Sequence, residues 1–217
     1  MKTIKMMVFD LDGTLISSID DLTASVNHAL TALGFSPLGK DKVRTFVGDG
    51  TLMTMRRALK AVGHNEDELA LKAYKLFEEH HTVHCLDQTR LYPGVEEIFQ
   101  HFQKKVLVVS TNKPHGFARQ ILEGLGVARY LADIMGDGNS LRLKPDPWAL
   151  IYLMEKHGIE PAYTVMVGDG GNDIQCARKA GTLCCAVGHG NTEPSVLLKM
   201  KPDFFCRSLP ELKNIFE

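Results

Sequence analysis

The chain of 217 residues is long enough for one large domain, or for one domain that carries an insert. Hydrophobic residues make up 44% of it and charged residues 24%, which predicts a packed core. The formal net charge of −1 argues against recruitment of nucleic acid or of a membrane surface by bulk charge. No apolar run approaches the length of a membrane span, and the apolar stretch before Asp10 is too short for a signal peptide.

The five cysteines are odd in number and show no Cys-x-x-Cys spacing. Such usage is typical of buried free thiols in a reducing compartment, so we expect a cytoplasmic protein. We expect a monomer or a homodimer with a small molecule as its partner.

The first predicted strand is the apolar run from Ile4 to Phe9, and the pentad Asp10-Leu11-Asp12-Gly13-Thr14 follows it directly. Two carboxylates suit the carboxyl edge of a parallel sheet, where open α/β folds bind their ligands. Asp10 and Asp12 would point to opposite faces if the strand continued. We expect Gly13 to end the strand and to turn Asp12 toward the same pocket.

Residues 16–88 are predicted to be helical, with no strand among them. Ser18 and Asp21 have the spacing of a capping box, which predicts the start of a helix that Gly34 ends. Further helices are predicted over residues 40–47, 51–62 and 66–84. The break Gly48-Asp49-Gly50 is either a plain loop or a segment that closes over the site.

From residue 89 onward, short apolar runs alternate with helical patterns. Strands are predicted near residues 106–109, 131–135, 163–167 and 182–187, and helices over residues 114–124, 147–157 and 172–180. This alternation predicts an α/β fold with a doubly wound parallel sheet. The simplest architecture is a sheet domain built from residues 1–15 and 89–217, with an all-helical domain of residues 16–88 inserted after the first strand.

Four predicted strand ends place polar residues at one edge of this sheet. They are Asp10 with Asp12, Ser110-Thr111-Asn112-Lys113-Pro114, Lys144-Pro145, and Gly168-Asp169-Gly170-Gly171-Asn172-Asp173. Each alone could be an ordinary turn or helix cap, but Asp10, Asp169 and Asp173 together would repel one another. A Mg²⁺ ion would relieve that repulsion, and Lys144 with the Thr111 hydroxyl would suit a phosphoryl group.

The sequence resembles the haloacid dehalogenase superfamily in four motifs, which are here Asp10-Leu11-Asp12-Gly13-Thr14, Thr111-Asn112-Lys113-Pro114, Lys144-Pro145, and Gly168-Asp169 with Asp173. The insert lies where that superfamily carries a helical cap domain. Residues 43–50 resemble the cap segment of phosphoglycolate phosphatases. The resemblance implies a Rossmann-like core with a helical cap. It also implies a Mg²⁺-dependent phosphatase for a small phosphorylated metabolite, with 2-phosphoglycolate as the first candidate.

The resemblance further implies roles for individual residues. Asp10 would be the nucleophile that forms an aspartyl-phosphate, and Asp12 would protonate the leaving group and then activate water. Thr111 would hydrogen-bond a phosphoryl oxygen, and Lys144 would neutralise charge and orient Asp10. The implied magnesium ligands are Asp10, the main-chain carbonyl of Asp12, Asp169 and Asp173. The implied substrate and phosphate contacts are Gly13, Asn112, Lys113 and Arg44, although Arg44 could equally lie on a helix surface.

Other functions remain open at this point. A sugar phosphomutase of the β-phosphoglucomutase type would share the core and the cap, and release of free phosphate separates the two activities. A non-catalytic metal-binding or regulatory relative should lack a motif residue, and none is missing. A dehalogenase is disfavoured because Asp12 would have no alcohol to protonate.

Two further features are singled out by the sequence. His80, His81 and His84 with Cys85 suggest a zinc site, but no Glu follows His80 as in a zinc-protease helix. Cationic side chains at a solvated helix end are the favoured interpretation. Gly170-Gly171 stands where the superfamily often has a small polar residue and a longer one, which removes any side-chain hydrogen bond from that turn.

Overall fold

The computed structural model describes residues 1–217 and contains eight strands and ten α-helices. The strands are β1 (Met6–Phe9), β2 (Ile16–Ser17), β3 (Arg90–Leu91), β4 (Val106–Pro114), β5 (Asp133–Asp137), β6 (Thr164–Gly168), β7 (Leu183–Val187) and β8 (Phe204–Cys206). The helices are α1 (Ile19–Ala32), α2 (Lys40–Arg44), α3 (Thr51–Ala61), α4 (Asp67–His84), α5 (Val95–His101), α6 (His115–Gly124), α7 (Trp148–His157), α8 (Gly171–Ala180), α9 (Pro194–Lys199) and α10 (Leu212–Ile215). None of these helices combines the length and the apolar character needed to cross a membrane.

Six strands form one parallel sheet in the order β5-β4-β1-β6-β7-β8. The central strand β1 is hydrogen-bonded to β4 on one side and to β6 on the other, so the strand order reverses there. In open α/β sheets a ligand crevice forms at such a switch point, outside the carboxyl ends of the strands. The predicted doubly wound sheet is therefore confirmed, and Asp10 follows its central strand.

Strand β1 is apolar at every position because helices cover both of its faces. Met7 and Phe9 belong to a core of 25 buried residues that α5 and α6 help to form. Met6 and Val8 belong to a second core of 15 buried residues, shared with α7 and α8. All four side chains are fully buried, as expected for a parallel strand inside a three-layer domain.

Helices α1 to α4 enclose a third hydrophobic core of 14 buried residues, among them Val26, Leu30 and Met55. Phe117 of α6 is the one member of this core that lies outside the helical segment. The segment thus buries much of its own apolar surface within one cluster.

A two-stranded antiparallel ribbon, β2 paired with β3, joins the helical segment to the sheet domain. The expectation of no strand within residues 16–88 is therefore wrong at Ile16 and Ser17. The two chain connections run side by side, so each supplies hydrogen-bond partners for the backbone of the other. Two-residue strands carry no periodicity by which a sequence pattern could reveal them.

The predicted capping box at the start of α1 is absent, since Ser18 makes no side-chain cap. Its Oγ donates instead to Oδ1 of Asp12 at 2.5 Å. The buried carboxylate of Asp21 accepts hydrogen bonds from the backbone N–H groups of Gln88 and Thr89, at 2.9 and 2.8 Å, and from the Thr89 hydroxyl at 2.7 Å. Asp21 therefore clamps one connection between the domains to the other.

Most predicted elements lie within a few residues of the observed ones. Strand β4 continues to Pro114 because Ser110 and Pro114 still pair with β5. Helix α2 ends at Arg44, before the predicted residue 47. Helix α9 has no counterpart in the prediction, since only Leu197 of its six residues is buried and one position defines no period. The five cysteines are buried and form no disulfide, in agreement with the prediction from their number.

We expect Asp21→Asn to lower the free energy of unfolding by about 2 kcal/mol, because an amide nitrogen would then face buried N–H donors. The neighbouring Asp20→Asn is the control. Asp20 is exposed and pairs only with Lys40, at 2.9 Å, so its loss should cost less than about 1 kcal/mol. Urea unfolding followed by circular dichroism measures both values, and equal losses would contradict the clamp.

Candidate active site

Lys144 lies at the centre of the residues that the strand ends bring together. Its Nζ is 2.8 Å from Oδ1 of Asp10 and 2.6 Å from Oδ1 of Asp173, and it donates to the Ser110 carbonyl at 2.7 Å. Burial disfavours the ammonium, but the two carboxylates outweigh this effect and hold the pKa of Lys144 above its ordinary value. The predicted convergence of these loops at one sheet edge is present in the structure.

Asp10, Asp169 and Asp173 form the one cluster of three or more potential metal-ligating side chains in the chain. Their ligand oxygens all lie within 4.8 Å of one another. Burial, followed by the charges of Asp10 and Asp173, raises the pKa of Asp169 to about 8. Burial also raises the pKa of Asp173, although Lys144 opposes the shift. The raised pKa values show that Lys144 alone does not offset the negative charge of three ionised carboxylates.

Asp169 is held by neutral donors only. The Thr14 hydroxyl donates to its Oδ1 at 2.9 Å, and the backbone N–H of Asn191 donates to its Oδ2 at 2.6 Å. A hard divalent cation fits this donor set, because Mg²⁺ binds carboxylate oxygens at about 2.1 Å in octahedral geometry. The site could therefore hold such a cation between Asp10, Asp169 and Asp173.

The loop after β7 is part of the site, and the sequence analysis missed it. Besides the Asn191 contact, a Cβ on Gly190 would lie 2.3 Å from Cβ of Asp169, so only glycine fits there. The Nε2 of His189 lies 3.0 Å from the Thr14 carbonyl. Gly188-His189-Gly190 follows a predicted strand just as the four motifs do. The expectation that ligand-binding residues follow the carboxyl ends of parallel strands, called here the strand-end rule, could therefore have found it.

Gly13 makes the turn that follows Asp12. Its φ of 89° lies in the left-handed region, and a Cβ there would come within 2.3 Å of Oδ2 of Asp169. Gly13 is thus required by backbone conformation and by the close approach of Asp169.

Asp12 is separated from the metal-ligating cluster by its own partners. Lys113 Nζ lies 3.2 Å from both of its carboxylate oxygens, and Ser18 donates to one of them. The backbone N–H of Lys113 donates to Oγ1 of Thr111 at 3.2 Å, which places the hydroxyl beside the same loop. Asp10 and Asp12 therefore have different electrostatic surroundings, the first beside Lys144 and the second beside Lys113.

The side-chain amide of Asn112 is used for protein contacts. Its Nδ2 donates to the Gly48 carbonyl at 2.9 Å and to the Lys144 carbonyl at 2.8 Å, and its Oδ1 accepts from the Lys144 N–H at 2.8 Å. Both amide hydrogens are engaged, so this side chain has no free donor for the phosphate contact implied by the resemblance. It holds the backbone of Lys144 instead.

Two cavities open on these residues. The first, of about 40 Å³, lies between the sheet domain and the helical segment, and Leu22, Phe77 and Lys113 line it with Asp10 and Asp12. The second, of about 280 Å³, opens beside Lys144 and the loop from Gly168 to Asp173.

Arg44 lines neither of these two cavities. Its Nε is buried and has no hydrogen-bond partner. Arg44 is the last residue of a five-residue helix, and its side-chain direction could not be read from sequence spacing.

The histidines of α4 do not form a solvated helix end as a group. His81 is fully buried, and its ring packs against Phe77 and against Phe117 of the sheet domain. Burial, then the charges of Lys113 and His80, lowers the pKa of His81 to about 2. His80 stacks between His28 and His84, so the zinc interpretation gains no support and His81 is a packing residue.

Comparison with known proteins agrees with this geometry. A family model described as haloacid dehalogenase-like hydrolase matches residues 7–187. The phosphoglycolate phosphatase of Vibrio parahaemolyticus is 34% identical over 98% of this chain and 96% of its own length. That of Vibrio vulnificus strain YJ016 is 36% identical over the same shares. The crystal structure of a predicted phosphoglycolate phosphatase from Haemophilus somnus 129PT has a TM-score of 0.93 and 28% identity, over 99% of both chains. The chain therefore belongs to the haloacid dehalogenase-like hydrolases.

Proposed function

We propose that this protein is a Mg²⁺-dependent phosphatase that hydrolyses a small phosphorylated carboxylic acid through an aspartyl-phosphate. The observation that carries the proposal is the position of Asp10 at the end of β1, paired with Lys144 at 2.8 Å and within 4.8 Å of two further carboxylates. An oxygen nucleophile beside one fixed cation and a potential cation site is the arrangement that phosphoryl transfer requires.

In the first half-reaction, Oδ of Asp10 bonds to phosphorus while the bond from phosphorus to the ester oxygen breaks. Asp12 gives its proton to the departing alkoxide. Lys144 keeps Asp10 oriented, and the hydroxyl of Thr111 donates to a phosphoryl oxygen, where negative charge is spread in the transition state. Asp10 thereby becomes a mixed anhydride with phosphate.

In the second half-reaction, Asp12 is a carboxylate and accepts a proton from a water molecule. The water oxygen bonds to phosphorus, the bond from phosphorus to Asp10 breaks, and phosphate leaves. Lys113 and the Ser18 hydroxyl both donate to Asp12, so they hold its carboxylate in place for both proton transfers. Asp12 therefore alternates between acid and base without moving to a new partner.

Asp10, Asp169 and Asp173, with the main-chain carbonyl of Asp12, would hold the magnesium ion. When bound, the ion supplies positive charge next to the phosphoryl oxygens and offsets the repulsion among the carboxylates. Whether Asp173 contacts the ion directly or through water does not alter the roles of Asp10 and Asp12.

The proposed substrate is 2-phosphoglycolate. The relatives named above are phosphoglycolate phosphatases, and they align with nearly the whole chain. The cavity of about 40 Å³ is lined by Asp12, the proposed proton donor, and by the apolar side chains of Leu22 and Phe77. Lys113 is the one cation that lines this cavity, so it is the candidate for binding the substrate carboxylate.

Asp10→Asn should lower kcat for phosphate release by about 10⁴-fold or more, because an amide cannot form the acyl-phosphate. A colorimetric phosphate assay across phosphorylated metabolites measures the loss, and thermal unfolding checks that the variant is folded. Turnover comparable to that of the parent would show that Asp10 is not the nucleophile.

Removal of divalent cations with EDTA should abolish phosphate release, and added Mg²⁺ should restore it. The physical reason is the uncompensated charge of the Asp10, Asp169 and Asp173 carboxylates, which repels a phosphate ester. Full activity in dialysed, chelator-treated protein would contradict the assignment of a metal to this cluster.

Lys113→Met should lower the ratio of kcat/KM for 2-phosphoglycolate to that for ethyl phosphate by about tenfold or more, the value of a hydrogen-bonded charge pair. Ethyl phosphate has no carboxylate, so effects of the substitution on Asp12 cancel in the ratio. Ser18→Ala is the matched control, since it also removes a partner of Asp12 but no cation. An unchanged ratio in Lys113→Met would exclude Lys113 as the carboxylate contact.

A further inference from the structure

The loop of residues 47–50, between α2 and α3, contacts the sheet domain through backbone and side chain. Gly48 and Gly50 have φ angles of 123° and 92°, which turn the loop so that the Gly48 carbonyl faces the sheet domain. The Nδ2 groups of Asn112 and Asn172 lie 2.9 and 3.3 Å from that oxygen. One cap carbonyl therefore meets side chains from two different loops of the site.

Asn172 makes a second contact with the same loop. Its Nδ2 lies 2.5 Å from Oδ1 of Asp49, and Oδ2 of Asp49 is paired with Arg57 of α3. Nη1 of Arg57 also donates to the Phe46 carbonyl at 2.9 Å. The Asp49 carboxylate is thus fixed within the cap before it meets Asn172.

Asn172 lies between Asp169 and Asp173 in the sequence, as the second residue of α8. The two hydrogens of its amide are directed to Gly48 and Asp49, so no donor remains for a phosphoryl oxygen. The contact of Asn172 with the Asp49 carboxylate is charge-assisted, and such hydrogen bonds are about twice as strong as neutral ones.

We propose that Asn172 is a positioning residue that latches the helical cap onto the loop carrying Asp169 and Asp173, with Asp49 as its partner. The inference rests on the proposed function, because a closed cap matters for a reaction from which bulk water is excluded. Asn112 ties the same cap carbonyl to Lys144, so closing the cap aligns the lysine and the acidic loop together. Loss of the latch shifts the cap toward open forms without removing a group that touches the substrate.

The test is a double-mutant cycle of Asn172→Ala and Asp49→Ala, read by kcat/KM for 2-phosphoglycolate. Each single substitution should lower kcat/KM by about tenfold, as expected for one charge-assisted hydrogen bond. KM should rise by a larger factor than kcat falls, because saturating substrate helps to close the cap. The shared contact should make the loss in the double variant smaller than the product of the two single losses, although Asn172→Ala also removes the contact with Gly48 and Asp49→Ala the pair with Arg57.

The second readout is amide hydrogen exchange of residues 46–52 in the substrate-free protein, which does not depend on activity. All three variants should exchange faster than the parent in this segment. Asp67→Ala is the matched control, because it removes an exposed pair between α4 and Arg56 of α3, at 2.7 Å, without touching the loop.

Multiplicative losses in the double variant, with exchange unchanged in Asn172→Ala, would overturn the latch and would mean that Asn172 acts on the phosphoryl group or the metal. A parent protein that hydrolyses no phosphate ester would refute the proposed function alone. In that case the exchange rates decide the latch, since faster exchange in Asn172→Ala and Asp49→Ala supports it and unchanged exchange overturns it.

Discussion

Repulsion among three clustered carboxylates, of which Asp169 and Asp173 are buried, is the constraint on which the rest of the site depends. When all three carboxylates are ionised, Asp10, Asp169 and Asp173 place three negative charges beside the single ammonium of Lys144. Two negative charges are left without a partner, which is the charge of one divalent cation. Asp12 and Lys113 form a separate ion pair whose charges cancel, so this pair does not change the net charge of the three-carboxylate cluster. The proposed mechanism requires this separation, because it assigns the nucleophile to Asp10 and the proton transfers to Asp12, two residues away.

The loops that carry Gly13 and Gly190 pack closely against the side chain of Asp169. Gly13 and Gly190 approach the Asp169 carboxylate from different loops, and either would clash with it if it carried a Cβ. The neutral donors of Thr14 and Asn191 then satisfy Asp169 without adding charge. A larger residue at either glycine would displace the acid whose oxygens complete the cluster.

The strand-end rule was sufficient to predict the sheet and the convergence of Asp10, Lys144 and Asp169, because each follows an apolar run whose direction the sheet dictates. It could not predict which partner a side chain selects. Ser18 and Asp21 have capping-box spacing, yet tertiary contacts with Asp12 and Thr89 replace the cap. Arg44 shows the same limit, since helix position alone does not determine where a long side chain ends.

The helical segment is tied to the catalytic groups at two separated places. The first place is the pair of chain connections, which the β2–β3 ribbon and the Asp21 carboxylate hold together. There, Ser18, the residue that precedes α1, also donates a hydrogen bond to Asp12. At the far side, Gly48 contacts Asn112, which holds the backbone of Lys144, and Asn172, which precedes Asp173 of the acidic cluster. A movement of the cap must therefore alter the surroundings of both aspartates of the opening pentad at once. The same few hydrogen bonds hold the helical segment and orient the side chains at the strand ends.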